Sequence, residues 1–77
     1  MNPQIGQIIE FNGYGGTIKF QNQEYLLLDT NIIEKNTKLK PYDEVEFIPE
    51  QINNTNIARF VKKRNYSQLK QNIKDKI

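Results

Sequence analysis

The chain has 77 residues, enough for one domain and too few for a second core. Apolar residues make up 36%, below the roughly 45–50% typical of globular domains, so the core must be small. The absence of Cys and His excludes disulfide staples, thiol nucleophiles and the usual zinc sites.

The net charge of +2 is unevenly placed. Residues 1–61 hold five basic and eight acidic groups, whereas residues 62–77 hold six basic groups and one acidic. A basic C-terminal segment of this kind suits a nucleic-acid-facing tail and equally a solvated helix end. The longest apolar run is Leu26-Leu27-Leu28, so no signal peptide or membrane span is expected, and the expected location is cytoplasmic.

Residues 1–4 carry no pattern and are expected to fray. Residues 5–11 read as a first strand. Ile8 and Ile9 are adjacent and cannot share one face of a regular strand, so a bulge or burial on both sides is required. Next comes Phe11-Asn12-Gly13-Tyr14-Gly15-Gly16-Thr17-Ile18, which holds three of the four glycines. Asn-Gly is a strong hairpin signal, because the central residues of the primed turns need positive φ. Residues 12–16 are therefore expected to join the first two strands. The glycines clear bulk from around Tyr14, whose ring is then either exposed or partly packed.

Residues 17–20 alternate and read as a second strand with Ile18 and Phe20 inward. A polar break at 21–23 is short enough for a hairpin. Residues 24–29 form a third strand, apolar without alternation, as expected for a strand central to a sheet. Residues 30–34 suit one short helical turn, and 35–38 form a polar, basic loop. Pro41 restricts the backbone ahead of a fourth strand over 44–48, with Val45 and Phe47 in, Glu44 and Glu46 out, and Pro49 ending it. Residues 51–56 read as a long polar turn and 57–61 as a fifth strand.

Tyr66, Leu69, Ile73 and Ile77 make one helical stripe, and Asn65 with Gln68 resembles a capping box. So short a helix must dock, pair with another molecule or fray, and docking on the rest of the domain is the expectation. The chain thus reads as all-β: a small five-stranded antiparallel OB-type barrel over 1–62, then a basic tail over 63–77 with a short C-terminal helix from 66.

The order of several short motifs resembles the cold-shock domains. Gly6, Ile8, Phe11-Asn12 and Gly13-Tyr14-Gly15 resemble the family's opening, in which a strand ends in Phe-Asn and a Gly-aromatic-Gly begins the next. Residues 39–47, Leu39-Lys40-Pro41-Tyr42-Asp43-Glu44-Val45-Glu46-Phe47, resemble its Leu-x-x-Gly-x-x-Val-x-Phe segment. Thr30-Asn31-Ile32 is similar to a Ser-Ala-Ile that follows strand three, and residues 58–61 are similar to the closing Ala-x-Asn-Val.

The resemblance implies single-stranded nucleic-acid binding, RNA ahead of DNA, by stacking bases on exposed rings of strands one to three. This chain departs from the pattern where those rings stand. Glu10 replaces a Trp, Gly16 or Thr17 replaces an aromatic, Leu26 and Leu28 replace an aromatic and a His, and Asp29 replaces a further aromatic. Phe11 and Tyr14 remain, with Tyr25 as a third ring of unassigned facing. Modest affinity is the consequence. The residues expected to bind are Phe11, Asn12 and Tyr14 at the turn, with Lys19, Arg59, Lys62, Lys63 and Arg64 against phosphates.

A second resemblance, from residues 43–47 and 58–64, is to the S1-type initiation-factor OB domains, which would make this a protein- or ribosome-interaction module using the basic tail. The C-terminal helix could then meet a protein partner. No enzyme is expected. Glu44 and Glu46 lie two apart on one strand face, which a solvated face explains. Glu24, Asp29, Glu34 and Glu50 are scattered, and no Lys-Ser or Lys-Thr follows the glycines as a phosphate loop would need. Neither a cofactor nor a metal is expected.

Overall fold

The computed structural model describes residues 2–34 and 37–64. Five strands, β1 (Gln4–Phe11), β2 (Gly15–Phe20), β3 (Gln23–Leu28), β4 (Glu44–Ile52) and β5 (Thr55–Lys63), close into a barrel in the order β1-β2-β3-β5-β4. Four pairings are antiparallel. The fifth is parallel and joins β3 to β5 through Leu26 and Ile57. A parallel bridge between Ile32 and Val61, with Ile33 N–H donating to the Val61 carbonyl at 2.8 Å, extends this closing seam. The helix expected from residue 66 lies outside the described residues.

The core is built from the inward positions of all five strands. Ile8, Ile18, Leu27, Val45, Phe47, Ala58 and Val61 are almost wholly buried, with Tyr25 and Leu39 close behind. Phe20 closes one end by edge-on contacts to Tyr25 and Phe47, at centroid distances of 6.1 and 5.6 Å. Ile18, Val45 and Phe47 thus face inward as their alternation requires.

The bulge demanded by Ile8 and Ile9 is present. Ile8 pairs with Ile18 and Glu10 with Thr17, leaving Ile9 unopposed and exposed. Here β1 and β2 approach so closely that a Cβ on Gly16 would overlap the Glu10 carbonyl oxygen and come within 2.8 Å of Phe11 Cα. Gly15 and Gly16 therefore belong to β2 itself, and the strand begins two residues earlier than its alternation suggests.

Other expectations need correction. Strand four does not stop at Pro49 but runs on to Ile52, with Pro49 opposite Ala58. β1 pairs with β4 only through Phe47, so beyond that point β4 has a free edge, where a missing N–H is tolerated. The long polar turn shrinks to Asn53-Asn54, both at left-handed φ (50° and 67°), which is the two-residue primed hairpin. Gln21-Asn22 repeats this geometry between β2 and β3. β3 does alternate: Tyr25 and Leu27 are buried while Leu26 is 40% exposed. The helical turn after β3 is a single 3-10 turn over Asp29–Asn31, one residue earlier than expected.

Two bulky residues adopt left-handed backbone, Tyr42 at φ 75° and Phe60 at φ 53°. Such a conformation costs a non-glycine residue on the order of 1–2 kcal/mol. Phe60 sits in a bulge where β5 contributes two residues opposite Phe47.

Candidate nucleic-acid interface

The loop between β1 and β2 is three residues long and is organised by Asn12. Its side-chain oxygen accepts the N–H groups of Tyr14 and Gly15, both at 2.9 Å, and its own N–H donates to the Gly15 carbonyl at 3.1 Å. Only Gly13 takes positive φ (97°), so the loop is a side-chain-capped turn and not the two-residue primed turn that Asn-Gly suggests. The Tyr14 carbonyl accepts the Asp29 N–H at 2.9 Å, tying the loop to the 3-10 turn after β3. The backbone of Tyr14 is thus fixed on both sides while its side chain stands 79% exposed.

Beside it, Phe11 is half-buried and packs against the core. It lines an open hollow with Glu10, Asn12, Gly15, Gly16, Thr17 and Leu26. The registers explain this hollow. Glu10, Thr17 and Leu26 stand abreast on β1, β2 and β3, and the two glycines leave the floor bare next to Phe11. Tyr25, the third candidate ring, is only 8% exposed and packs on Phe47 at 5.3 Å. It is a core residue.

The expected phosphate-binding residues are not brought together. Lys19 is exposed on β2, abreast of Gln7 and Glu24. β2 and β5 are not neighbours in the barrel, so Lys19 does not join the cluster at 62–64 in one row. Arg59 pairs with Glu50 at 3.0 Å and lies 5.9 Å over the Phe60 ring. Lys63 pairs with Asp43 at 3.5 Å, and Arg64 with Glu44 at 3.3 Å. Lys62 is exposed and faces Glu46 across the ladder.

The chain superimposes on the cold-shock-domain segment CSD456 of Drosophila Unr with a TM-score of 0.74, over 84% of its own length, at 18% identity. The fold is a cold-shock-like OB barrel. No family model matches the chain, and none of the curated proteins does. The match spans 28% of the Unr chain.

Within this cold-shock-like barrel the substitutions noted in the sequence have definite places. Glu10 and Leu26 border the hollow, one on each side of Thr17, where a carboxylate and an aliphatic side chain replace rings. Two exposed rings had no place in the expected site, Tyr42 at 81% and Phe60 at 62%. The signal for Tyr42 was already in the sequence, since it occupies the glycine of the Leu-x-x-Gly-x-x-Val-x-Phe segment. Among the described residues no group of His, Cys, Asp and Glu could hold a metal ion, and no helix is long and apolar enough to cross a membrane.

Proposed function

We propose that the chain binds single-stranded nucleic acid, RNA ahead of DNA, with modest affinity and without catalysis. The observation that carries this reading is the Tyr14 loop. An exposed ring held on a fixed backbone, in the same loop whose Asn12 lines the hollow beside Phe11 and the two glycines, is a ready platform for an unpaired base. The cold-shock-like fold of the barrel supports the same reading by analogy alone. The modest affinity follows from the few rings on this face and from the ion pairs that occupy Arg59, Lys63 and Arg64.

A salt titration with a short unstructured oligonucleotide tests the proposal. Tyr14→Ala is expected to weaken binding by roughly 1–3 kcal/mol with no change in salt slope, as loss of a stacking partner does. Lys62→Ala is expected to flatten the slope by about one unit, as loss of a phosphate contact does. If Tyr14→Ala binds like the parent at every salt concentration, this face is not the binding surface. A second reading, docking to a protein or to the ribosome, draws on the exposed aliphatic side chain of Leu26 where a base-stacking face would carry a ring, and on the exposed Ile9 of the β1 bulge. It predicts little oligonucleotide binding at any salt concentration.

A further inference from the structure

The turn ahead of β4 holds a ring that the fold neither needs nor covers. The Asp43 N–H donates to the Lys40 carbonyl at 3.1 Å, and the Asp43 side chain accepts the Lys40 N–H at 3.0 Å. Proline fixes a negative φ at Pro41 and Tyr42 has φ 75°, which makes a type II turn with Tyr42 in its third position. Glycine takes that position without strain, and a tyrosine takes it only against its own sterics. No packing repays the strain, because Tyr42 is the most exposed of the large hydrophobic residues and no ring or hydrogen-bond partner meets its side chain among the described residues. Phe60 shares the backbone conformation, but its ring already carries Arg59.

The surroundings of Tyr42 suit a nucleotide. Its N–H donates to the Ile8 carbonyl at 2.8 Å, and the Ile8 N–H donates to the Asp43 carbonyl at 2.9 Å, so the turn continues the β4 side of β1. Two residues further along β1, Glu10 begins the row that crosses Thr17 to Leu26. One strand spacing and two residues put Tyr42 on the order of 10 Å from Glu10 at the backbone. Lys38 and Lys40 are exposed in the same connection, without an ion pair among the described residues. Asp43, the nearest acid in the chain, is matched by Lys63.

We propose that Tyr42 is a second base-stacking residue, flanked by Lys40 and Lys38 as phosphate contacts, at the opposite edge of β1 from Tyr14. The inference rests on the single-strand reading above and names a contact that reading did not include. The ring stands where glycine would be easier, so its removal separates folding from binding.

The test uses the full chain with a labelled oligouridine and an oligothymidine of equal length, alongside urea denaturation. Tyr42→Gly and Tyr42→Asn, both tolerant of left-handed backbone, are expected to keep or raise the urea midpoint. They should weaken oligonucleotide binding by roughly 5- to 150-fold at unchanged salt slope, while Tyr42→Phe binds like the parent. Lys40→Ala should flatten the slope by about one unit. If the parent binds and both Tyr42→Gly and Tyr42→Asn bind equally well, the inference is wrong and the single-strand reading stands. A loss in Tyr42→Phe equal to that in Tyr42→Gly would overturn stacking. If the parent itself binds neither oligonucleotide, the single-strand reading fails and this inference falls with it.

Discussion

At the scale of single residues, the most constrained position is Gly16. Backbone approach at the β1 bulge leaves no room for a Cβ, and the atoms it would meet are main-chain atoms that cannot rotate away. Gly16→Ala should therefore force β1 and β2 apart and lower stability by about 1–3 kcal/mol, the usual cost of overpacking. A denaturant midpoint equal to that of the parent would show that the bulge can open freely. The same substitution disturbs the floor of the hollow beside Phe11, so oligonucleotide binding should fall as well. In the proposed binding mode Asn12 acts one step back from the ligand: its side-chain oxygen is already engaged by the Tyr14 and Gly15 N–H groups and holds the Tyr14 backbone in place.

At the scale of elements, the β4–β5 hairpin is held by its turn. Asn53 and Asn54 both lie in left-handed backbone, which Asn tolerates better than other residues with a Cβ. Asn54→Val should lower stability by about 1–2 kcal/mol, and Asn54→Gly should leave it unchanged or raise it slightly. Thermal unfolding of the two variants checks this, and equal midpoints would remove the turn as a determinant of the hairpin. The ion pairs along β4 and β5 weigh far less. Arg59–Glu50 and Arg64–Glu44 are partly exposed and contribute about 0–1 kcal/mol each.

The hairpin also shows how far the sequence could be read. Val45 and Phe47 alternate with Glu44 and Glu46, so the strand and its inner face were plain from period two alone. Its end was not, because Pro49 breaks a ladder only when a neighbour needs its N–H, and pairing with β1 stops at Phe47. In the same way Tyr25 could not be assigned to a face until the β2–β3 register placed it abreast of Ile18. At the site, the glycines left the Tyr14 ring either exposed or partly packed, and only the folded loop decides for exposure. The pairing of Lys63 and Arg64 with acids depended on residues some twenty positions away, and that of Arg59 with Glu50 on the register of the β4–β5 hairpin.

At the scale of the whole molecule, the question is what residues 65–77 add to a barrel in which acids pair with Arg59, Lys63 and Arg64 but leave Lys19, Lys38, Lys40 and Lys62 exposed. Their sequence carries Lys70, Lys74 and Lys76 against one acid, Asp75, and the apolar stripe of Tyr66, Leu69, Ile73 and Ile77. These features predict different effects when the chain is cut after Arg64. If the stripe buries Leu69 and Ile73 against the barrel, truncation lowers stability by about 1–3 kcal/mol with no need of any ligand. If the lysines meet phosphates, truncation flattens the salt slope of oligonucleotide binding by up to about three units and leaves the urea midpoint alone. A core drawn from a chain only 36% apolar gains much from two added aliphatic side chains, so the fall in stability is the expected outcome. An unchanged midpoint together with an unchanged slope would rule out both roles and point to a protein partner for the stripe.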